Sequence, residues 1–137
     1  MATRYPLVLN GTTVQELQSA DTLTGLTGFA ETASAQTFTA SQRGTVTTDN
    51  DGSFDMNVTN NFKCTPTGSI TLTFTNITAG QSGFILLVNG SNYTVSAHAN
   101  TKVATGALAA LSATGSYLIS YFSDGTNVFV VNSGALA

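Results

Sequence analysis

Few side chains in the sequence are of a type that carries out catalysis. The single histidine, His98, lies between two alanines in a segment that ends a predicted strand, and it has no obvious catalytic partner. The single cysteine, Cys64, follows Lys63, which could lower the pKa of a thiol, but adjacent strand residues point to opposite faces. We interpret His98 as a surface or interface residue and Cys64 as a buried structural thiol. The sequence holds no nucleophile elbow, phosphate loop or dinucleotide fingerprint, so we predict that the protein is not an enzyme and binds no cofactor.

Three carboxylates, those of Asp49, Asp51 and Asp55, lie close together in sequence and superficially resemble a calcium-binding loop. The spacing does not fit, because the glycine falls at the fourth place instead of the sixth and Asn60 stands where a bidentate glutamate is expected. A turn with Asp51 and Gly52 at its tip explains the same residues. The sequence therefore predicts no metal site, and calcium binding by the three aspartates is the alternative.

The composition excludes several classes of partner. Only 8% of the 137 residues are charged, where a soluble protein commonly has about 25%, and the formal net charge is −3. The 4 basic residues do not provide the positive field that nucleic acid or an anionic membrane surface requires. The longest apolar run, residues 84–88, is far shorter than a transmembrane helix, and the apolar run near the N-terminus is too brief for a signal peptide. We expect a soluble protein that is not exported by the Sec route and binds neither nucleic acid nor membrane.

Alternation of apolar and polar residues at period two runs through most of the chain and indicates strands. Threonine, which fits a pleated surface with a polar outer face, is the most frequent residue. The most regular run covers residues 69–77. Residues 84–88 are apolar without alternation, which predicts a central strand covered on both faces. A turn at Asn89 and Gly90 then predicts a hairpin with residues 93–97.

The C-terminal third predicts a short helix within residues 106–113 and then a hairpin. Its strands cover residues 116–122 and 126–132, and Asp124 and Gly125 form the turn. About eight strands at spacings of roughly 8 to 12 residues indicate an all-β protein. We predict an antiparallel β-sandwich with jelly-roll or Greek-key wiring, and no internal repeat of the solenoid kind is evident.

The N-terminal part of the chain differs from the rest. Two short apolar runs joined by Asn10 and Gly11 predict a small β-hairpin within residues 1–17. Residues 18–35 are small or polar and show no sustained period, so we interpret them as a linker. The predicted organisation is an N-terminal hairpin or arm with its linker over residues 1–35, followed by a β-sandwich domain over residues 36–137.

Both ends of the chain resemble phage proteins. The opening MATRYPLVLNGTTVQEL, residues 1–17, resembles the start of small virion structural proteins of tailed bacteriophages, including cyanophages. Residues 117–136 are similar to the terminal hairpin of phage fibre-tip and head-decoration domains. The resemblance implies a virion protein, and such families commonly form homotrimers with β-sandwich or jelly-roll subunits.

We expect a capsid decoration (cement) protein that trimerises on the outer surface of the icosahedral head, binds the major capsid protein and stabilises the head. Low charge favours such assembly, because it lessens the cost of desolvating the surface that subunits bury. The protein would be made in the host cytoplasm and located on the virion. The alternative is the tip of a tail or head fibre, a receptor-binding β-sandwich module with a host glycan as its partner. The sequence leaves capsid and tail locations, the partner surface and the host open.

Residues 1–35 have too few apolar side chains for a core of their own, so we expect them to become ordered on the capsid or on a neighbouring subunit. The expected capsid-docking anchors are Tyr5, Leu7, Leu9, Val14 and Leu17.

Overall fold

The computed structural model describes residues 7–10, 13–16, 41 and 43–137. Contacts divide the chain into two units, Met1–Ser41 and Gln42–Ala137. The predicted linker over residues 18–35 lies outside the described residues.

The first unit contains an antiparallel hairpin of β1 (Leu7–Asn10) and β2 (Thr13–Glu16), as predicted. Asn10, which is predicted to lie in the turn, pairs with Thr13 and is a strand residue instead. Gly11 lies outside the described residues.

The second unit holds nine strands and one short helix among its described residues. They are β3 (Val46–Thr48), β4 (Ser53–Asp55), β5 (Asn61–Cys64), β6 (Ile70–Thr75), β7 (Ser82–Asn89), β8 (Val95–Ala97), β9 (Thr101–Val103), α1 (Ala107–Leu111), β10 (Gly115–Ser123) and β11 (Val128–Asn132). This confirms the all-β prediction, the short helix and the C-terminal hairpin.

The strands form a six-stranded sheet in the order β3-β5-β7-β10-β11-β9 and a three-stranded sheet in the order β4-β6-β8. From β3 to β8 the chain alternates between the two sheets, so that strands two apart in sequence become neighbours and pair in parallel. β9 lies at the edge of the six-stranded sheet opposite β3 and pairs in parallel with β11. β10 pairs antiparallel with both β7 and β11. The predicted antiparallel β-sandwich with jelly-roll or Greek-key wiring is therefore wrong in strand direction and in connection.

The alternating path resembles the turns of a solenoid, although the sequence shows no repeat. The reason lies in the unequal length of its turns. Val46 pairs with Asn61 and Asn61 pairs with Phe84, so the second of these turns is much longer than the first. The turns that pass through the three-stranded sheet have two further lengths, because Phe54 pairs with Phe74 and Ile70 pairs with Val95. Without a fixed period the sequence carries no self-similarity of the kind that marks repeat folds.

The predicted hairpin between residues 84–88 and 93–97 is also wrong, because Asn89 directs the chain to the other sheet. Its side chain is buried. Its Nδ2 donates to the carbonyl oxygens of Tyr93 at 2.8 Å and Leu111 at 3.1 Å, and its Oδ1 accepts the Tyr93 N–H at 3.0 Å. These bonds hold a wide turn after which β8 pairs with β6.

The core lies between the two sheets and is built around four aromatic side chains. Phe54 of β4 packs against Phe62 of β5 with ring centroids 5.1 Å apart, and against Phe74 of β6 at 5.6 Å. Phe74 in turn packs against Tyr121 of β10 at 5.1 Å. Tyr117 also lies on this inward face, as its shared strand parity with Tyr121 predicts.

Gly83 of β7 occupies a position that admits no side chain. A Cβ there would overlap the Asn60 carbonyl oxygen and lie 2.7 Å from the hydroxyl oxygen of Tyr121. That carbonyl accepts the Phe84 N–H at 3.0 Å and the Tyr121 hydroxyl at 2.9 Å. The close approach joins the β4–β5 connection to the centre of the six-stranded sheet.

We expect the Gly83→Ala substitution to lower the free energy of unfolding by about 3 kcal/mol, because the methyl group displaces backbone that makes two hydrogen bonds. Thermal unfolding followed by circular dichroism should show a melting temperature lower by about 10 °C or more. Gly68→Ala is the matched control, since a Cβ at Gly68 meets nothing within 4 Å. Equal melting temperatures for the two variants would contradict the expectation.

Candidate interaction surface

The structure does not bring the residues singled out for chemistry together. His98 is exposed just after β8, where its Nδ1 accepts the Asn100 N–H at 3.3 Å, which agrees with its interpretation as a surface residue. Cys64 is fully buried at the end of β5, as predicted for a structural thiol. Neither residue contacts a catalytic partner among the described residues.

The surroundings of Cys64 suppress thiol reactivity. Burial raises the pKa of the Cys64 thiol to about 12, and the negative charges of Asp49 and Asp51 add to the effect. Because the thiolate is the reactive form, the folded protein holds this cysteine inert at neutral pH.

We expect Cys64 to resist a chromogenic disulfide reagent in the folded protein at pH 8 and to react fully after denaturation in guanidinium chloride. The raised pKa also predicts that stability falls as the pH rises from about 9 towards 12, because the unfolded chain releases the thiol proton there and the folded chain keeps it. Rapid labelling of the native protein would show that the thiol is accessible.

The three aspartates of the calcium-like stretch form turns with their own backbone. Asp49 Oδ1 accepts the Asp51 N–H at 3.3 Å, and Asp51 Oδ1 accepts the Ser53 N–H at 2.8 Å. Burial raises the pKa of Asp49. A hydrogen bond between the two side chains lowers the pKa of Asp51. Asp55 lies on β4, and its Oδ1 accepts from the Asn76 side chain and from the Asn57 N–H, which lowers its pKa.

The predicted turn between residues 48 and 53 is confirmed, with Gly52 at a φ of 87°. Within the described residues, no group of three or more His, Cys, Asp or Glu side chains is placed to hold a metal ion.

We expect addition of a chelator to leave the melting temperature unchanged to within about 1 °C, because removal of a ligand lowers stability only when the folded state binds it. Differential scanning calorimetry with and without EDTA measures this. A fall of several degrees, reversed by added calcium, would instead assign Asp49, Asp51 and Asp55 as ligands.

The six-stranded sheet leaves the face opposite the core uncovered by described residues. Nine large apolar side chains are exposed in the described residues, and six of them lie on the strands of this sheet with the parity that points away from the core. We name this surface the open face. Its apolar members are Val46, Phe84, Leu86, Val88, Leu118, Phe122, Phe129 and Val131.

Strand register arranges the open face in rows. One row crosses β3, β5, β7, β10 and β11 through Val46, Asn61, Phe84, Ser120 and Val131.

The rows on either side follow at every second residue. One places Lys63, Leu86 and Leu118 side by side, and the other places Phe122 next to Phe129 and Lys102. Apolar side chains therefore form a patch around Ser120 over β7, β10 and β11. Part of it is a shallow groove of about 380 Å³ lined by Val46, Asn61, Phe62, Lys63, Phe84, Leu86 and Leu118.

Electrostatically, the open face is almost neutral. On the outward positions of its strands the charged side chains are Lys63 on β5 and Lys102 on β9, which lie towards opposite borders. Phe84 is 50% exposed, Phe122 52% and Phe129 46%. A surface with aromatic side chains at its centre and charge only towards its borders resembles protein-binding surfaces in composition, and the two lysines are the ionisable groups on the outward positions of its strands.

The three-stranded sheet presents a different surface. Its outward positions carry hydroxyl groups, apart from the carboxylate of Asp55, and Thr71 Oγ1 lies 2.8 Å from Ser96 Oγ across the β6–β8 pair. Ser96 Oγ also donates to the Ile70 carbonyl oxygen, and Thr73 Oγ1 donates to the Thr71 carbonyl oxygen. The two outer faces of the unit are thus chemically distinct, one apolar and one polar.

The open face was missed at the sequence level. The unalternating run over residues 84–88 predicts a strand covered on both faces, and the structure covers only the inward side with its own described residues. The signal was present in β10 and β11, where Leu118, Phe122, Phe129 and Val131 add apolar residues at the outward parity.

Three of the five predicted capsid-docking anchors lie on described strands. Leu7 and Leu9 lie on β1 and Val14 lies on β2, and the side chain of Leu7 is 71% exposed. Tyr5 and Leu17 lie outside the described residues.

No protein-family model, curated protein or solved structure matches this chain. In the described part of the chain, no helix has the length and apolar character needed to cross a bilayer.

Proposed function

We propose that the protein is a structural component of a phage virion, a decoration protein that forms homotrimers on the outer surface of the head and stabilises it by binding the major capsid protein. The observation that carries the proposal is the open face, a broad apolar surface on a chain with very little charge. An exposed apolar patch of this extent is typical of proteins that associate. The resemblance of both chain ends to virion proteins supplies the biological setting.

Binding explains the described side chains better than catalysis does. The histidine is isolated on the surface, the thiol is buried, and the aspartates hydrogen-bond to turns. A protein whose work is binding needs a stable scaffold and a surface for its partner, and the second unit offers a packed core and the open face.

Capsid attachment is assigned to the N-terminal segment. Leu7 is 71% exposed on β1, which makes it available to an apolar pocket of a partner. Each copy needs only modest affinity, because a trimer presents three such segments and the lattice of the head multiplies their effect.

The receptor-binding alternative has less support. Stacking on sugar rings needs exposed aromatic side chains, but Tyr117 and Tyr121 are buried and Tyr93 is half-buried. The exposed aromatic residues of the described chain are phenylalanines within the largely apolar open face, which suits a protein partner better than a hydrated glycan.

Deletion of residues 2–35 should leave a folded, trimeric β protein that no longer binds heads. Replacement of Leu7 and Leu9 by Asp should weaken binding at least ~100-fold, because docking would bury unpaired charge. The measurement is co-sedimentation with heads stripped of the protein. Thr13→Asp on the paired strand is the matched control and should retain most binding. Full occupancy by the truncated protein would make the second unit the capsid-docking surface.

The number of copies per virion tests the role itself. Quantitative mass spectrometry of purified particles should find hundreds of copies if the protein covers a capsid lattice. A handful of copies would indicate a location on the tail. Absence of the protein from the particles would show that it is not a virion component.

A further inference from the structure

We propose that copies of this chain associate with one another through the open face, with Phe84, Leu118, Phe122 and Phe129 at the centre of the contact between subunits. The inference rests on the proposed assembly function and deepens it by assigning the surface and the partner, a second copy of the same chain.

The first argument is the extent of the surface. Six strands spaced about 4.8 Å apart, with central strands of 8 and 9 residues, make a face of roughly 25 by 20 Å. This flat area of about 500 Å² is more than half of the roughly 800 Å² that a stable interface buries on each partner. The open face is therefore large enough to supply most of one side of such an interface.

The second argument is the pattern of the central strand. β7 is apolar at both parities, with Ile85 and Leu87 buried in the core and Phe84 and Leu86 on the open face. Strands with this composition are typically covered on both sides. The chain covers the inward side with its own three-stranded sheet, and residues 43–137 place nothing over the outward side. In the proposed contact, a second molecule covers the outward side of β7.

The third argument concerns what that second molecule must be. The partner surface has to be apolar, similarly broad and nearly free of charge, and the open face of another copy meets each requirement. With a net charge of −3 over 137 residues, two copies repel each other weakly. Lys63 and Lys102 lie towards the borders, where their ammonium groups can stay hydrated while their aliphatic stems contact the partner.

The test measures the mass of the full-length protein at micromolar concentration by sedimentation and light scattering. The wild type should be a trimer, in which the open faces of three copies meet around one axis as the proposed function requires. Phe84→Glu and Phe122→Glu, made separately, should each raise the dissociation constant at least ~100-fold and yield monomers, because each buries an unpaired carboxylate at the centre of the contact.

Val58→Glu is the matched control. Val58 is 60% exposed, comparable with the two phenylalanines, but it lies in the connection between β4 and β5 and outside the sheet. This variant should remain an oligomer. If either glutamate variant lacks the wild-type circular dichroism spectrum, Phe84→Thr and Phe122→Thr replace it. Threonine suits an exposed strand and should weaken association by ~10-fold.

A second readout uses cross-linking. Cys64 is buried, so a cysteine placed at Ser120 in the central row of the open face would be the reactive thiol. A short bis-maleimide should join Ser120→Cys copies into covalent dimers. Thr75→Cys, exposed on the three-stranded sheet, should stay uncoupled.

The outcomes separate this inference from the proposed function. Oligomers that persist in both folded glutamate variants would overturn the assignment of the open face and leave the assembly function standing. Loss of oligomers in Val58→Glu as well would also overturn the assignment, since any added charge would then suffice. A wild type that is monomeric at every concentration would overturn both.

Discussion

The structure depends on the burial of one aromatic layer between two sheets of unequal width. Phe54, Phe62, Phe74 and Tyr121 link the three-stranded sheet to the six-stranded sheet through ring contacts of 5.1 to 5.6 Å. Burial of each such side chain contributes about 1.5 to 3 kcal/mol, which outweighs any single hydrogen bond on the surface. With 8% charged residues and no disulfide in the described unit, stability comes mainly from the buried core to which this layer belongs.

The aromatic layer also explains the chain path. To place strands on both sides of it, the chain crosses from one sheet to the other after every strand from β3 to β8. Each crossing needs a corner whose polar backbone is satisfied. The buried Asn89 side chain serves one corner, and Gly52 serves another at a φ of 87°, where a Cβ would come within 2.9 Å of the Thr71 carbonyl oxygen. Parallel pairing follows from this alternation.

The unequal sheets have a functional consequence. The wide sheet turns one face to the aromatic layer, and its other face remains apolar and open, whereas the outer face of the narrow sheet is rich in hydroxyl groups. In the proposed assembly, the apolar side contacts other subunits and the hydroxyl groups keep the opposite side hydrated. The unit therefore has two chemically different sides, which is the arrangement that the proposed assembly requires.

The sequence by itself determined the strand content, the terminal hairpins, the burial of Cys64 and the inward parity of Tyr117 and Tyr121. These depend on local spacing, and a period of two assigns faces without knowledge of neighbours. It did not determine strand direction, because parallel and antiparallel strands carry the same alternation. It also did not locate the open face. The apolar run through Phe84 indicates that both faces of β7 are favourable to bury. Only the tertiary structure decided which face the chain buries itself, because that depends on where the crossings place the three-stranded sheet.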